Sequence, residues 1–329
     1  MKLLRRQFLH LAAGAAALPA VSRIAWAQAY PSHPVTIIVP VPPGGVADPI
    51  ARILADHLTV TLGQPVVIEN VTGAGGSIGV GRAARATPDG YTVSIGNWLS
   101  HVGASAVYPV QYDVLTDFEA VSLLTNSPIL ITARKDFPAN DLKELIAWLK
   151  ANPDKATAAT VGAGSAAHVS GVYFQRATGT RFQFVPYRGG GPAVQDEVAG
   201  HVDLMFNEAT GALPYVLSRQ VKTYAVLAKT RWFAAPDIPT SEELGVPGIN
   251  ISFWHGLWVP QGTPKEIVVK LNGAVVAALA DPTVRKRLTD IGQEIFPRDK
   301  QTPEALHAFH KAETEKWWPI IKAAGIKAE

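Results

Sequence analysis

Glycine-rich turns that follow apolar runs are the parts of this sequence best suited to bind a ligand. The first lies in VPVPPGGVADPIARILADHL, residues 39–58, where Gly44 and Gly45 separate a strand-like run from a helical pattern. Glycine has no Cβ, so a ligand can approach its backbone closely. The free N–H groups of Val46 and Ala47 would lie at the positive end of the helix dipole, which suits a carboxylate or phosphate. A tight turn that binds nothing is the alternative.

Asp48 and Pro49 affect how many donors this first turn keeps. The pair predicts an N-cap followed by proline at the first helical position, with a helix over 49–61. An N-cap carboxylate would use one N–H donor. We therefore expect a small anion to be held by the N–H groups that precede the cap.

A similar turn occurs in TVGAGSAAHVSG, residues 160–171. Gly162 and Gly164 follow an apolar run and lead into a helix that carries His168. Ser165 is a natural N-cap, although its hydroxyl could instead contact an anion. His168 fits a packed helix residue as well as a ligand contact. Two such helix ends, one in each of two lobes, would hold one anionic ligand from both sides.

The third glycine cluster contains a serine that matches a hydrolase pattern. Gly75-x-Ser77-x-Gly79 has the spacing of the nucleophile elbow, which requires a strand directly before the serine. Here the strand-like run ends at Asn70 and a glycine-rich loop intervenes. We therefore predict no catalytic residue and no enzyme, with a secreted serine hydrolase using Ser77 as a remote alternative.

Further polar and aromatic residues follow other predicted strands. In open parallel sheets, ligands bind beyond the carboxyl ends of the strands. The alternative to ligand contact is packing at a hinge for Trp254 and a solvated surface charge for Arg188. The remaining candidate contacts are Asn97, Trp98, His101, Tyr187, Gly189, Asn207 and Trp254.

Metal and cofactor chemistry have little support in the sequence. Cysteine is absent, which excludes disulfides, zinc–thiolate sites and thiol chemistry. His307 and His310 are three residues apart on a predicted helix without a third ligand nearby, so we expect a surface pair. We predict no metal and no cofactor.

The N-terminus reads as an export signal. Residues 1–27 combine a basic start, a short apolar stretch and a small-residue cleavage site at Ala25-Trp26-Ala27. Arg5-Arg6 indicates the twin-arginine route to the periplasm, with an ordinary secretory signal as the alternative. Removing this segment changes 30 basic against 27 acidic residues to 26 against 27. A nucleic-acid partner therefore has no electrostatic support.

Short apolar runs alternate with helical patterns, which predicts an α/β protein with mainly parallel strands. Crossover strands near 121–133 and 251–259 would join two lobes and leave a cleft between them. We expect lobe 1 over 28–125 plus 251–329 and lobe 2 over 126–250. Two sequential domains without a hinge are the alternative. The predicted strands are 35–41, 66–69, 91–96, 129–133, 157–161, 182–187, 202–206, 222–228 and 251–260.

Several residue pairs predict where helices begin and end. Asp141 with Glu144, and Thr263-Pro264 with Glu266, have the pattern of a capping box. Pro319 should end or kink the last helix. Two further N-cap and proline pairs are Asp281-Pro282 and Thr302-Pro303.

The sequence resembles the Bug family, the extracytoplasmic solute-binding receptors of tripartite tricarboxylate transporters. The likeness runs through nearly the whole mature chain. Its most specific segments are YPSHPVTIIVPVPPGGVADPIARILADHL, LGQPVVIENVTGAGGSIGVGRAARATPDGYTVSIG, VPYRGGGPAVQDEVAGHVDLMF, FWHGLWVPQGTPKEIVVKLN and DPTVRKRLTDIG.

The resemblance implies a type II periplasmic-binding-protein fold whose two lobes close on a small organic acid. It also implies a monomeric, non-enzymatic receptor that delivers the acid to membrane permease subunits. A ligand-sensing partner of a membrane sensor kinase is the alternative. The positions that the resemblance assigns to the ligand are Gly45, Val46, Ala47, Asp48, Asn97, Trp98, His101, Gly164, Ser165, His168, Tyr187, Gly189 and Trp254.

Two positions depart from the family pattern. Members often carry aspartate where Asn207 stands, and small or polar residues where Trp98 stands. Loss of the aspartate would relax repulsion of a second carboxylate or remove a contact to a ligand amine. Trp98, if it lines the cleft, would favour a flat or aromatic acid. The sequence does not identify the acid or the permease.

Overall fold

A computed structural model describes residues 30–248 and 250–326, and the predicted signal of residues 1–27 lies outside them. Ten strands form one sheet in the order β2-β1-β3-β9-β4-β7-β5-β6, with β8 and β10 also pairing with β4. The strands are β1 (Val35–Val39), β2 (Val66–Asn70), β3 (Thr92–Asn97), β4 (Phe118–Arg134), β5 (Thr157–Thr160), β6 (Gln183–Pro186), β7 (Leu204–Glu208), β8 (Val221–Val226), β9 (Ser252–Pro260) and β10 (Glu294–Ile295).

Helices follow most of the strands, as strand–helix alternation predicts. Short 3₁₀ turns cover Ala74–Gly76 and Arg298–Lys300, and a π-helix covers Leu99–Gly103. The α-helices are α1 (Ala47–Leu62), α2 (Ser77–Ala84), α3 (Ala104–Val107), α4 (Leu142–Ala151), α5 (Ala166–Thr178), α6 (Gly190–Ala199), α7 (Ala209–Leu217), α8 (Lys265–Ala280), α9 (Pro282–Asp290) and α10 (Pro303–Ala323).

Parallel pairing occurs at both ends of the sheet and antiparallel pairing at its centre. β1 pairs in parallel with β2 and β3, and β5 pairs in parallel with β6 and β7. The central strands β9 and β4 run antiparallel to each other and to β3 and β7. The structure thus confirms an α/β fold with a parallel group of strands on each side of two crossovers.

The crossover strand β4 is long because it reaches both groups of strands. β4 contains 17 residues, and its first half pairs with β9 while its second half pairs with β7 and β8. The register with β9 shifts between Leu123 and Asn126, near the midpoint of β4. These strands lie where the sequence predicts the hinge. The lobe boundaries themselves stay a prediction.

The largest apolar cluster spans both groups of strands, from Ile38 on β1 to Ala158 on β5, and each group also has a smaller cluster of its own. In the first group, Ile50, Leu54 and Leu58 of α1 are buried against β1 and α8. In the second, Leu130 and Val226 pack with Ala212 of α7 and with Trp232. Among the described residues, no single helix is long and apolar enough to span a membrane, although α8 and α9 together pass that test across a 71° bend.

Three of the expected local features differ in the structure. Helix α8 begins after Pro264, and Thr263 donates to the carbonyl of Pro260 instead of capping the helix. Pro319 neither ends α10 nor prevents four more helical residues. His310 is 2% exposed, so the pair with His307 is not a surface pair. Asp141, Asp281 and Thr302 are N-caps as predicted.

Candidate solute-binding site

The first turn keeps two backbone donors free, although Asp48 does not cap the helix. Helix α1 begins at Ala47, which places Asp48 inside its first turn. Pro49 is compatible with this start because N–H groups in the first turn have no intrahelical acceptor. Gly45 donates to Pro42, and no acceptor is assigned to the N–H groups of Val46 and Ala47 within the described part of the chain.

The Asp48 carboxylate is already satisfied by protein groups. It accepts hydrogen bonds from the Gly44 N–H, Arg52 Nε and Asn70 Nδ2, each at 3.0 Å. Burial acts to raise the pKa of Asp48, but these hydrogen bonds and the Arg52 charge lower it overall. Asp48 therefore shapes the turn through Gly44, whose φ of +79° is favourable only for glycine.

The second turn is more internally bonded than the sequence suggests. Ser165 caps α5 by accepting from the His168 N–H at 3.2 Å, which confirms the predicted N-cap. Its hydroxyl also contacts Thr160 Oγ1 and is fully buried. The Gly164 N–H donates to His168 Nδ1 at 3.3 Å. The hydroxyl of Ser165 and the N–H of Gly164 are thus engaged before any ligand binds.

The π-helix lies beside the second turn at one end and near the residue that follows β1 at the other. A Cβ built on Gly103, at its C-terminal end, would lie 2.2 Å from the carbonyl oxygen of Gly164. Near its N-terminal end, a Cβ on Gly76 would lie 3.1 Å from both Ser100 and Pro40, the residue after β1. Leu99–Gly103 therefore packs against the turn after β5 at Gly103, and Gly76 lies between Ser100 and the residue after β1.

Asn97 and His101 make contacts inside the protein. Asn97 Oδ1 accepts from the Ser100 N–H at 3.0 Å, which stabilises the start of the π-helix. His101 is fully buried, stacks on Trp258 at 4.0 Å and accepts at its carbonyl from His310. Burial, assisted by His310, lowers the pKa of His101 well below its usual value, so this ring is neutral. Direct contact of either side chain with a solute stays a prediction.

Trp98 and Trp254 pack in the interior. Trp98 is fully buried and contacts Trp317 edge-on at 5.8 Å. Trp254 and Trp317 both donate from Nε1 to Glu313 Oε2, at 3.3 Å and 3.2 Å. Burial raises the pKa of Glu313 despite these bonds. The structure thus gives both tryptophans a packing role against α10, and their contact with a solute stays a prediction.

The remaining candidates lie at the carboxyl ends of strands in the second group. Tyr187, after β6, donates to Asp196 at 2.7 Å; burial and this bond raise its pKa to about 12. Gly189 precedes α6, which has no side-chain cap. Asn207, at the end of β7, is 4% exposed, and its Nδ2 is a buried donor without a partner among the described residues. Asn207 therefore carries an amide donor that no described protein group satisfies.

These groups can bind an anion through neutral donors. Backbone N–H groups and an amide lack the basicity needed for proton transfer. Ser77 opens α2 after a 3₁₀ turn, and β2 has ended at Asn70, so no strand precedes this serine as a nucleophile elbow requires. The arrangement is that of a binding site.

The sequence matches, over residues 50–326, the family described as the tripartite tricarboxylate transporter family receptor, TctC. The chain belongs to the TctC family. A relative from Agrobacterium vitis, described as a UPF0065 protein in the TAR-I ttuE-ttuC′ intergenic region, is 40% identical over 307 residues, covering 92% of this chain and 88% of the relative. The predicted likeness to the Bug family is confirmed.

Solved structures of similar proteins agree with this TctC-family assignment. The periplasmic binding protein BugD is 39% identical with a TM-score of 0.83, covering 91% of this chain and all of BugD. MatC from Rhodopseudomonas palustris, solved with bound malate, is 38% identical with a TM-score of 0.83, covering 89% of this chain and all of MatC. The predicted periplasmic-binding-protein fold is therefore confirmed.

Sequence reasoning missed the polar groups that support the TctC-family site. Glu208 caps α7 and accepts from Ser127 on β4. Glu313 and its two indole donors were not predicted. The Ser127–Glu208 and Trp254–Glu313 contacts join residues more than 50 positions apart, and no local spacing indicates them.

Proposed function

We propose that this receptor captures a small aliphatic carboxylate between its two lobes and delivers it to a tripartite tricarboxylate-type membrane permease. The observation that carries the proposal is the pair of unpartnered N–H groups at Val46 and Ala47, in a glycine-opened turn at a helix N-terminus. Such a terminus favours negative charge without a charged side chain. The malate bound by MatC belongs to the same chemical class.

An aliphatic acid suits this chain better than an aromatic one. The case for an aromatic acid depended on Trp98 lining the cleft. Its ring is fully buried against Trp317, and π–π contact with another aromatic side chain already occupies its edge. We therefore favour a dicarboxylate of the size of malate.

We also propose that the mature receptor works as a monomer in the periplasm, after export by the twin-arginine route. BugD, a relative covered over its full length, is a periplasmic binding protein. Arg5-Arg6 within residues 1–27 supports the choice of route. Fractionation of cells that lack the twin-arginine translocase should leave the precursor in the cytoplasm, and a mature periplasmic form in those cells would contradict this route.

Aliphatic dicarboxylates should raise the melting temperature of the mature protein. A ligand that binds only the folded state adds about 2.7 kcal/mol of stability at 100 times its Kd. We expect malate, succinate or adipate to raise Tm by several degrees, with benzoate and neutral amides as controls. Native mass spectrometry of protein purified without refolding should identify the retained acid. A panel of acids that leaves Tm unchanged, with an empty protein, would contradict the proposed function.

Changing Asn207 to aspartate should weaken dicarboxylate binding more than changing it to alanine. Asn207→Ala removes the unpartnered Nδ2 donor, whereas Asn207→Asp also adds negative charge at a buried position. We expect about fivefold weaker malate binding for alanine, the equivalent of one hydrogen bond, and a further tenfold for aspartate. Isothermal titration measures both values. Equal affinity in all three proteins would place the solute away from Asn207.

A further inference from the structure

A chain of hydrogen bonds passes between the two groups of strands beside the crossover. Gln293 Nε2 donates to Thr210 Oγ1 at 2.6 Å, and Thr210 Oγ1 donates to Ser127 Oγ at 3.3 Å. Ser127 in turn donates to Glu208 Oε1 through a short hydrogen bond. Each donor in the series points the same way and the series ends on a carboxyl group, which strengthens every member by mutual polarisation.

The two ends of this chain belong to different apolar cores. Gln293 follows α9, whose Val284 and Leu288 pack in the core of the first group of strands. Thr210 lies in the first turn of α7, whose Ala212 packs with Leu130 in the core of the second group. The contact is therefore a directional, hydrogen-bonded connection between these two clusters, in addition to the crossover strands and to the larger apolar cluster that spans both groups.

The adjacent residue reinforces the connection. Trp232 Nε1 donates to the carbonyl oxygen of Gly292 at 3.2 Å. Gly292 has a φ of +77°, and a Cβ there would lie 2.6 Å from the Trp232 ring. A side chain at position 292 would collide with the Trp232 ring. Glycine is therefore required where this turn packs against the second core.

The Gln293 side chain is buried, which limits the other hydrogen-bond partners that it can reach. Its residue is 1% exposed, and its Oε1 has no hydrogen-bond partner in the described residues. Losing the bond to Thr210 would leave a second buried polar atom unsatisfied, which is costly. A change in the angle between the two cores must break this bond or carry Thr210 with it, because the bond joins them directly.

The same hydrogen bonds support the candidate solute contact. Glu208 accepts from Ser127 and from the Thr210 and Gly211 N–H groups, both at 3.4 Å, and it directly follows Asn207. The position of Asn207 at the end of β7 therefore depends on groups that Gln293 reaches through Thr210.

From these contacts, and resting on the proposed function, we propose that Thr210 and Gln293 are positioning residues of the solute site. Their hydrogen bond holds the lobes at the angle at which Asn207 and the two glycine turns bind one acid. Neither side chain contacts the solute; each acts by favouring the binding-competent arrangement of the lobes, and a smaller population of that arrangement lowers the apparent affinity in proportion.

The test compares Thr210→Val, which replaces the hydroxyl by a methyl group of similar size, with Thr210→Ser, which keeps the hydroxyl. The chain has no cysteine, so Val60→Cys on α1 and Lys143→Cys on α4 would carry the only thiol labels. Both positions are exposed, with Val60 at 82%. Spin-label distances report the lobe angle without solute, and titration with malate reports affinity.

We expect Thr210→Val to shift or broaden the interlobe distance and to weaken malate binding about fivefold, the equivalent of one net hydrogen bond. Thr210→Ser should stay within twofold of the parent and keep its distances. Gln293→Met removes the same bond from the other lobe and should reproduce the valine result, including when Thr210→Val folds poorly. These outcomes support a positioning role.

Parent-like distances and affinity in both Thr210→Val and Gln293→Met would overturn the inference, even if Tm fell, because lower stability alone indicates a structural role. A parent protein that binds no acid would contradict the proposed function. The distances measured without solute would still decide whether this hydrogen bond sets the lobe angle.

Discussion

A Gly103→Ala variant should bind its acid at least about fivefold more weakly than the parent and melt at a similar temperature. The backbone at Gly103 is helical, with φ −66° and ψ −51°, so alanine introduces no backbone strain. Its methyl group would, however, lie 2.2 Å from the Gly164 carbonyl oxygen and 3.0 Å from the Trp98 ring. The carbonyl belongs to the second turn, so relief requires the π-helix and that turn to separate.

Overpacking of this kind costs about 1–3 kcal/mol, which is about 5- to 150-fold in affinity when it acts only on the closed arrangement. Gly273→Ala is the matched control, because nothing lies within 4 Å of a Cβ at that position in α8. The control should gain up to about 1 kcal/mol of stability and keep its affinity. Titration with malate and thermal melts measure both effects. Parent-like affinity in Gly103→Ala would mean that the contact between these turns has no part in binding.

Local chemistry made the glycine turns predictable. Gly44 and Gly164 both have positive φ, and each lies between a buried strand and a helix, as glycine spacing predicts. Ser165 caps its helix because its hydroxyl reaches the N–H three residues on. Such features depend on a few neighbouring residues, and sequence spacing contains that information.

Distant packing determined the features that the sequence did not predict. Asp48 looks like an N-cap locally, but Arg52 and Asn70 hold its carboxylate inside the first turn instead. His310 looks exposed by its spacing from His307, yet α10 packs it against the carbonyl of His101. In each case the partner that decides the outcome lies on another element or another turn of the fold. These distant partners also determine which hydrogen-bond donors at the candidate site remain unpaired.

The same distinction between local and distant determinants applies to the expected solute contacts. Backbone donors at Val46 and Ala47 follow from the turn itself and have no protein acceptor in the described chain. The ring of Trp98 is instead engaged in the interior, because α10 covers it. The C-terminal helix α10 thus determines which candidate side chains remain available to a solute. Sequence spacing does not predict that α10 packs over β4.

Glu197→Gln should make the protein progressively more stable than the parent as pH rises from about 5 to about 8. Glu197 lies on α6 and is 0% exposed, and its Oε1 accepts a hydrogen bond from Thr132 Oγ1 at 2.7 Å. Its Oε2 has no partner in the described residues. Burial raises the pKa of Glu197 to about 8 from 4.5, and the bond from Thr132 only partly opposes this change.

The direction follows from proton binding. Between the unfolded pKa near 4.5 and the folded pKa of about 8, the folded state keeps a proton on Glu197 that the unfolded state has released. The parent therefore has its full stability below the lower value and loses it as pH rises, by at most about 1.4 kcal/mol per pH unit from this group. Glutamine does not titrate, so this loss disappears.

Urea unfolding at pH 5, 6, 7 and 8 should show a stability difference between variant and parent that grows by more than about 2 kcal/mol over the range. At pH 5 the variant should be equal to the parent or weaker, because the extra amide hydrogens of glutamine have few acceptors there. The control Glu266→Gln changes an exposed carboxyl, so its unfolding free energy should vary with pH in the same way as that of the parent. Parallel curves for Glu197→Gln as well would mean that the buried carboxyl ionises freely in the folded protein, and that α6 moves to admit water to it.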